Sequence, residues 1–319
     1  MRLENLFTMN QNLSPKDLAS VIGVSESSLK RWVDDGRLVA SRTSGGHRRI
    51  PVHEAVRFIR ETAQSVVRPD LLGLSDLTRV PVAKVTGGEG ESALLAALEA
   101  GHAEQARGLI LAHYLTTRTV ASVCDGPIAH AMHRIGELWR HSEQGIAIEH
   151  RATTICVEAL HNIRLLLPPT AEEAPVAVGG AIEGDPYTLP TLMAATCFRE
   201  LGVRDMDLGA NTPFLSLVET ARRHRAKFVW ISASAINGGS AGAARVVDAL
   251  RQAAGSISEM GASLLLGGRA IYGLSLPQLP STHVVHSMSE LVSFARGART
   301  KVAAPEVVKV PTLRAAAVR

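Results

Sequence analysis

Apolar runs and helix-like runs alternate along the C-terminal half of the chain. Short strand-like runs predict strands at 176–182, 205–208, 228–234, 263–266 and 283–286. Amphipathic runs between them predict helices at 189–201, 213–224, 241–254 and 288–297. Strands that alternate with helices in this way indicate a parallel sheet with helices on both faces. The pattern therefore predicts a doubly wound α/β domain over residues 175–299.

The middle of the chain has the periodicity of helices joined by short links. One helix is predicted to end at Gly101, a second covers 102–117, and a third covers 120–139 with a bend at Pro127. A fourth helix is predicted from about 146 to 167, where Pro168 and Pro169 end it. Four helices of this length favour a four-helix bundle over residues 91–170.

The first part of the chain has the pattern of a helix-turn-helix unit. Ser14 and Ser25 stand where the side chains that cap helices are expected, and Gly23 between them fits a tight turn. Apolar residues spaced along both helices form an inner face. The outward positions of the second helix hold polar residues that could face DNA, namely Ser27, Ser28, Lys30 and Arg31.

A basic hairpin is predicted after the second helix. Residues 38–40 and 48–50 can pair around Ser44-Gly45-Gly46, and no acidic residue occurs from Arg37 to Pro51. The candidate DNA contacts of this wing are Arg42, Thr43, His47, Arg48 and Arg49. A basic wing beside a helix-turn-helix unit is the charge pattern expected of a DNA-binding surface. The sequence places this domain at residues 12–66, followed by a connector at 67–90, where Pro and Gly accumulate.

Composition indicates the cellular compartment more clearly than it indicates the activity. The three cysteines, Cys124, Cys156 and Cys197, are widely spaced and odd in number, which argues against a disulfide framework and favours a reducing cytosol. No run of 18 uncharged apolar residues occurs, and the first residues lack the apolar segment of a signal peptide. We therefore expect a cytoplasmic protein without a membrane span. The net charge of +4 permits an anionic partner without requiring one.

Residues 13–61 resemble the winged DNA-binding domain of the MerR family. The T-S-G-G-H-R-R segment at the wing is the specific part of the match. The resemblance implies that the protein binds double-stranded DNA at an operator with repeated half-sites. It also implies a homo-oligomer, either a dimer or a tetramer. A solvated basic hairpin on an unrelated small helical domain is the alternative.

Loops of small and polar residues follow the predicted strands at 183–190, 232–235 and 267–268. Ligands of doubly wound sheets bind at these carboxyl ends of the strands. The first strand is not followed by G-x-G-x-x-G, and G-x-x-x-x-G-K-[ST] does not occur, so dinucleotide and P-loop sites are disfavoured. Small residues in such loops would let a large planar ligand approach the backbone.

The α/β segment resembles the cobalamin-binding domain shared by methionine synthase, mutases and light-responsive regulators. A helical cap with Trp-x9-Glu-His behind a MerR-type domain is similar to the CarH/LitR family of photoreceptor repressors. The resemblance implies that residues of the cap cover the upper face of a corrin, with Trp139, Glu149 and His150 as candidates and His141 grouped with them. It further implies a lower pocket for the nucleotide tail, with Ser232, Ser234, Gly267 and Gly268 as candidates.

The loop after the first predicted strand departs from that family. The family loop reads Asp/Glu-x-His-x-x-Gly, and its His ligates cobalt. Aligned on Asp185, this chain has Tyr187 at the His position and Pro190 at the Gly position. Tyrosine has an ordinary pKa near 10, so it is a poor cobalt ligand at neutral pH. His141, His150 and His161 form no i, i+4 pair, so no protein metal site is predicted either.

Three hypotheses for the ligand follow. In the first, cobalamin (adenosylcobalamin) binds without the usual His ligand and light breaks its cobalt–carbon bond. In the second, the site holds a linear tetrapyrrole, a bilin such as biliverdin, which needs no axial ligand. Bilins are often tethered through a cysteine thiol, and Cys124 is the candidate, with the role of a buried small apolar residue as the alternative. In the third, the sensor is vestigial and serves oligomerisation in a constitutive regulator.

The sequence as a whole predicts a light- or ligand-responsive transcriptional regulator rather than an enzyme. A chromophore between the bundle and the α/β domain would change their packing, the oligomeric state and thus the avidity for DNA. A cobalamin-dependent enzyme or methyl carrier is the alternative from another class. The basic segment 300–319 is expected to be mobile or to lie along a partner subunit.

Overall fold

The computed structural model describes residues 12–80, 88–117, 119–139 and 143–302. Along these ranges the chain forms a winged helix-turn-helix domain, a bundle of helices and a parallel α/β domain, in that order. Most of the tail predicted at 300–319 lies outside the described residues. Within the described ranges, no helix has the length and apolar character that crossing a membrane requires.

The N-terminal domain contains three helices and three short strands. The helices are α1 (Pro15–Ile22), α2 (Glu26–Asp34) and α3 (Val52–Thr62), and the strands are β1 (Asn12–Leu13), β2 (Ser41–Arg42) and β3 (Arg48–Pro51). Ser14 caps α1 and exchanges hydrogen bonds with Asp17 in a capping box. Gly23, with φ of 71°, ends α1, and Ser25 caps α2. The helix-turn-helix pattern predicted from these residues is confirmed.

The strand register of the wing differs from the prediction. Ser41 and Arg42 pair with β3, whereas the sequence pattern assigned that pairing to 38–40. The physical reason is burial, because Leu38 is 1% exposed and belongs to the apolar core rather than to the hairpin. The hairpin therefore begins only where the chain has left the core. On its other edge β3 pairs with β1, which the sequence pattern did not predict.

The bundle consists of helices that pack side by side. They are α4 (Gly88–Ala100), α5 (Ala103–Thr116), α6 (Val120–Val123), α7 (Ala129–Trp139) and α8 (Glu143–Leu166). A π-helical turn at Cys124–Ile128 joins α6 and α7, so that these two helices and the turn form the third arm of the bundle. Pro127 lies inside this turn, where its missing N–H interrupts the regular ladder. The third helix predicted at 120–139 is thus interrupted by a π-helical turn at Pro127, where the sequence predicted a bend.

The segment predicted as a connector is packed onto its neighbours. It forms 3₁₀ turns at Pro69–Leu72 and Ser75–Arg79, and Leu72, Leu74 and Leu77 are buried. Arg107 of α5 donates hydrogen bonds to Asp76 in the second turn, with Nε 2.8 Å from Oδ2. Pro and Gly in this segment therefore mark tight turns rather than an open linker.

The α/β domain has five parallel strands in the order β5-β4-β6-β7-β8. The strands are β4 (Val176–Ala181), β5 (Arg204–Asp207), β6 (Phe228–Ser232), β7 (Ser263–Gly267) and β8 (Thr282–Val284). The helices are α9 (Leu189–Glu200), α10 (Phe214–Arg223), α11 (Gly239–Glu259), α12 (Arg269–Tyr272) and α13 (Met288–Val302). The strand order reverses between β4 and β6, which is where such sheets open a ligand crevice. The predicted doubly wound sheet is confirmed, and the short α12 was not predicted.

The two faces of the sheet are covered differently. On one face, α9 and α13 pack between the sheet and the bundle, in an apolar core that runs continuously into the helix-turn-helix domain. Phe198 of α9 lies 5.4 Å from Trp230 and 5.5 Å from Phe228, ring centroid to ring centroid. On the other face, α10 and α11 form a second core. The face that carries the bundle therefore has a continuous apolar path to the N-terminal domain.

Candidate functional site

Asp185 ties together the two loops at the reversal of strand order. Its side chain is fully buried. Its Oδ1 accepts the backbone N–H of Tyr187 at 3.0 Å, and its Oδ2 accepts that of Ser234 at 2.5 Å and that of Ala235 at 3.4 Å. A carboxylate that receives several backbone N–H groups holds them in place. Asp185 thus sets the geometry of the crevice, and its own oxygens are engaged.

An upper cavity of about 330 Å³ lies between the bundle and these loops. The bundle lines it with Met132, His133, Gly136, Glu149 and Thr153, and the α/β domain lines it with Tyr187, Leu189, Pro190, Ser234 and Arg269. The structure therefore brings together three residues that the sequence singled out from separate segments, namely Glu149, Tyr187 and Ser234. Ser234 was predicted for the lower pocket, but it follows the end of β6 and lines the upper cavity instead. Their roles toward a ligand stay predictions.

Tyr187 is held as a neutral phenol. Burial raises its pKa above the ordinary value, and the negative charges of Glu149 and Asp185 raise it further, whereas Arg269 lowers it. The net direction is upward, so the phenolate form is disfavoured at neutral pH. Glu149 accepts a hydrogen bond from Thr153 Oγ1 at 3.0 Å, which fixes its carboxylate at the cavity wall.

A lower cavity of about 230 Å³ continues under the loops, against the ends of β6 and β7. The sequence candidates that line it are Cys124, Ser232, Gly267 and Gly268. Trp230 forms part of its wall and donates from Nε1 to Thr191 Oγ1 at 2.9 Å, and Thr191 Oγ1 in turn donates to Asp207 at 2.8 Å. This buried chain of hydrogen bonds fixes the indole ring.

One feature of the lower cavity fits a bound polar group, and a second shapes its wall. Ser232 is 7% exposed, and its Oγ is buried without a hydrogen-bond partner among the described residues. A buried hydroxyl of this kind is costly unless something satisfies it. Gly268 has φ of 103°, and a Cβ there would lie 2.4 Å from the carbonyl oxygen of Ala233. The backbone can turn tightly under the cavity only because this residue is glycine.

The structure does not bring every predicted residue to the cavities. The His150 side chain is 75% exposed and lines neither cavity, although its Nε2 lies 3.6 Å from Glu149 Oε2. His141 and the side chain of Trp139 lie outside the described residues. Across the described ranges, no group of three or more His, Cys, Asp or Glu side chains is arranged to hold a metal ion.

The three cysteines are buried close together behind the lower cavity. Cys124 lines this cavity from the π-helical turn and interacts with Cys197 of α9 and with Cys156 of α8. Burial raises the pKa of Cys156 to about 12, and the neighbouring Cys124 and burial raise that of Cys197. Both thiols are therefore protonated and unreactive at neutral pH.

One residue at the site, Arg269, was missed at the sequence level, whereas Pro190 was noted there only as a departure from the family loop. Pro190 and Arg269 line both cavities and so stand where the two meet. Pro190 occupies the first turn of α9, where a residue without N–H is well tolerated. Arg269 directly follows Gly267-Gly268. That position, first after a strand-end Gly-Gly pair, is the signal that could have identified it.

A basic cleft of about 540 Å³ lies between the helix-turn-helix unit and the wing. The predicted DNA contacts that line it are Lys30, Arg42, His47, Arg48 and Arg49, and the sequence did not single out Lys16, which also lines it. Arg31 is exposed on α2 but does not line the cleft. The cations gather on one side of this domain, as an interface for phosphates requires.

Several of the predicted DNA contacts already have partners within the protein. Ser27 and Ser28 each lie 2.9 Å from the Oγ of the capping residue Ser25. Arg48 forms an ion pair with Asp34 at the end of α2 and so attaches the wing to that helix. Thr43 Oγ1 accepts the backbone N–H of His47 at 3.1 Å, which shapes the wing turn. These contacts position the surface, whereas Arg42 and Arg49 are exposed at its rim.

Comparisons with known proteins agree with this arrangement of domains. The family model described as a helix-turn-helix domain matches residues 13–63. The family model described as a B12 binding domain matches residues 91–163, which is the helical bundle. A search of curated protein sequences found no match.

Solved structures that resemble this chain include corrinoid and cobalamin proteins. The monomethylamine corrinoid protein of Methanosarcina barkeri has a TM-score of 0.46 at 15% identity, over 64% of this chain and 96% of the other. A cobalamin-binding protein of Desulfitobacterium hafniense DCB-2 has a TM-score of 0.33 at 15% identity, over 65% and 97%. The methanol:cobalamin methyltransferase complex MtaBC of Methanosarcina barkeri has a TM-score of 0.32 at 13% identity, over 75% and 88%.

Proposed function

We propose that this chain is a transcriptional regulator controlled by a tetrapyrrole. In it, a DNA-binding helix-turn-helix domain precedes a B12 binding domain, as in CarH-type regulators. The tetrapyrrole is held between the bundle and the α/β domain, in the upper and lower cavities. Its presence, and its response to light, set the affinity for DNA. The protein acts as a homo-oligomer on repeated half-sites.

The observation that carries this proposal is the course of helix α9. The helix begins at Leu189, in the loop that lines both cavities with Pro190, and ends at Glu200, about three turns away. Its middle packs on α8 and, through Cys197, on Cys124. One rigid element therefore extends from the ligand crevice to the far side of the bundle.

At that far side, Glu200 contacts the DNA-binding domain. Arg60 in the last turn of α3 donates from Nη2 to Glu200 Oε1 at 3.3 Å, and from Nη1 to Tyr114 Oη at 2.9 Å. Its guanidinium also lies 4.0 Å from the centroid of the Tyr114 ring. A displacement of α9 by a ligand changes the position of Glu200, and Arg60 then couples that change to α3. Coupling of this kind requires only that the ligand favours one of two packings.

The residues present support a cobalamin-type tetrapyrrole and also a second candidate. Cobalamin with an alkyl ligand supplies a light-labile cobalt–carbon bond when bound, without any protein ligand below the metal. A bilin such as biliverdin is favoured by two observations. The position of the family's cobalt ligand holds Tyr187, kept protonated by burial, and the thiol of Cys124 lines the lower cavity.

A titration of the purified full chain with adenosylcobalamin and with biliverdin tests the proposal. Each ligand is followed by its visible absorption in the dark, and DNA binding is then measured for the loaded and the ligand-free protein. Saturable binding of one of them, together with a change in DNA affinity, is the expected result. A protein that binds neither, or binds one without any effect on DNA, has a vestigial sensor. Turnover of a methyl donor or a mutase substrate by the loaded protein would instead indicate an enzyme.

A further inference from the structure

One arginine lies where the two cavities meet. Arg269 lines both of them, and it directly follows Gly268, whose backbone conformation fixes the start of α12. The side chain of Arg269 is exposed, and within the described part of the chain it forms no hydrogen bond or ion pair. Guanidinium groups prefer planar oxyanions, which they bind through two parallel N–H donors.

The acidic residues around the cavities do not supply that oxyanion. Asp125, in the lower cavity, accepts the backbone N–H groups of Met288 at 2.7 Å and Ser289 at 2.9 Å, and also the Ser289 hydroxyl. Glu149, in the upper cavity, accepts a hydrogen bond from Thr153 Oγ1 at 3.0 Å. These carboxylates are therefore committed to structural contacts.

An independent feature also indicates a polar ligand. The Ser232 hydroxyl, more than nine-tenths buried, lines the lower cavity without a partner in the described ranges. A guanidinium where the cavities meet and a hydroxyl in the wall below it are unexplained by the fold alone. Both are explained by one ligand that is mostly apolar and carries an oxyanion.

We propose that the ligand carries an anionic side group, a carboxylate or a phosphodiester, that pairs with Arg269 where the two cavities meet, while Ser232 Oγ hydrogen-bonds a polar atom of the same ligand deeper in the lower cavity. This inference rests on the proposed tetrapyrrole function and adds the chemical feature that selects among tetrapyrroles. The shared chemistry has two sources. A bilin supplies it as a propionate, and cobalamin supplies it as the phosphodiester of its nucleotide loop.

Matched pairs of ligands test this proposal on the full chain. Biliverdin is compared with its dimethyl ester, and hydroxocobalamin is compared with dicyanocobinamide, which lacks the nucleotide and its phosphodiester. Each is titrated against the unmodified protein, Arg269→Gln and Arg269→Lys. Arg223→Gln, at an exposed position of α10, is the control. Hydroxocobalamin and cobinamide differ in more than charge. The deciding quantity is therefore how much each substitution changes the ratio of the two affinities in a ligand pair.

The expected result is that Arg269→Gln weakens binding of the charged ligand by about 10-fold to 100-fold and leaves its uncharged partner within about twofold. Arg269→Lys restores part of the loss, and Arg223→Gln changes nothing. Loss confined to the bilin pair identifies a propionate, and loss confined to the corrin pair identifies the phosphodiester.

Two other outcomes are distinguishable. If the unmodified protein binds a tetrapyrrole and Arg269→Gln affects charged and uncharged ligands alike, the anion pairing is wrong and the proposed function stands. If the unmodified protein binds none of the four ligands, both proposals fail. Because Arg269 is exposed, the variant is expected to fold, and unchanged thermal unfolding checks this.

Discussion

Glu200 joins Arg60 across a gap of 140 residues in sequence, with Oε1 3.3 Å from Nη2. Each of these two side chains is only 13% exposed. The other oxygen of Glu200 accepts the backbone N–H of Val120 at 2.8 Å. One carboxylate therefore contacts the DNA-binding domain, the bundle and, through its own helix α9, the α/β domain.

Removal of the Arg60 charge should weaken the coupling between the DNA-binding domain and the α/β domain. In Arg60→Gln the buried Glu200 loses its cation, so we expect a loss of about 3 kcal/mol in the free energy of unfolding. We also expect the effect of a bound ligand on DNA affinity to diminish, because α3 no longer contacts α9. Chemical denaturation and DNA titration measure the two effects. Arg68→Gln, which removes a solvent-exposed ion pair with Asp70, is the control and should leave both stability and regulation nearly unchanged.

The same carboxylate predicts a pH dependence. Burial raises the pKa of Glu200 above its ordinary value of 4.5, so the folded chain holds the proton more tightly than the unfolded chain. Stability contributed by the protonated form is therefore present at low pH and is lost as the pH rises from 4.5 through the raised pKa. Relative to Glu200→Gln, the unmodified protein should gain stability as the pH falls from 7 to 4.5. A difference in melting temperature that is constant over this range would contradict the assignment.

Installing histidine at the loop position of Tyr187 should create a cobalt ligand. In Tyr187→His the imidazole becomes available at neutral pH, so hydroxocobalamin should bind about tenfold more tightly and its visible spectrum should shift. Tyr187→Phe is the matched control, and it should leave both affinity and spectrum near those of the unmodified protein. A spectrum that does not respond to the histidine would mean that residue 187 does not face the lower side of the corrin.

The turn under the lower cavity should tolerate only glycine. Gly268→Ala places a Cβ 2.4 Å from the Ala233 carbonyl oxygen at a φ of 103°, so we expect a destabilisation of about 3 kcal/mol. Gly255→Ala, in the middle of α11 with open space around it, should instead stabilise by roughly 0.5 to 1 kcal/mol. Denaturant unfolding of both variants provides the comparison, and equal effects would show that the close approach at residue 268 is unimportant.

The arginines of the basic cleft should contribute unequally to the salt dependence of DNA binding. Arg42→Ala and Arg49→Ala should each lower the slope of log affinity for DNA against log salt by about 0.9, because each removes one phosphate contact. Arg48→Ala should change the slope less, since its guanidinium is paired with Asp34. Arg223→Ala, on α10 of the other domain, should have no effect on the slope. Equal slopes for Arg42→Ala and the unmodified protein would remove Arg42 from the interface.

Much of the fold could be predicted from the sequence because its signals are local. All five strands of the α/β domain were predicted, the central ones as buried apolar runs and the partly exposed edge strands β5 and β8 from their alternation with helices. Ser14, Gly23 and Pro127 mark a helix cap, a turn and a helix interruption by their own chemistry. The register of the wing could not be predicted, because it depends on whether Leu38 is buried by distant side chains.

The candidate site was predictable only where a family motif marks it. Glu149, Tyr187 and Ser234 were singled out from separate segments, and the fold brings them to one cavity. Arg269 and the Arg60–Glu200 pair could not be predicted from local sequence, because their roles depend on contacts between segments far apart in the chain. The packed turns at Pro69–Leu72 and Ser75–Arg79 were read as a connector for the same reason.

The central claim is that a tetrapyrrole held between the bundle and the sheet controls DNA binding. Its most direct test is the affinity of the full chain for a duplex selected from a randomised pool, measured at fixed salt without ligand, with bound tetrapyrrole in the dark, and after illumination. We expect the dark, loaded protein to differ in DNA affinity from the ligand-free protein by at least about tenfold, and illumination to reverse at least part of this difference. Identical affinities in all three states would contradict it.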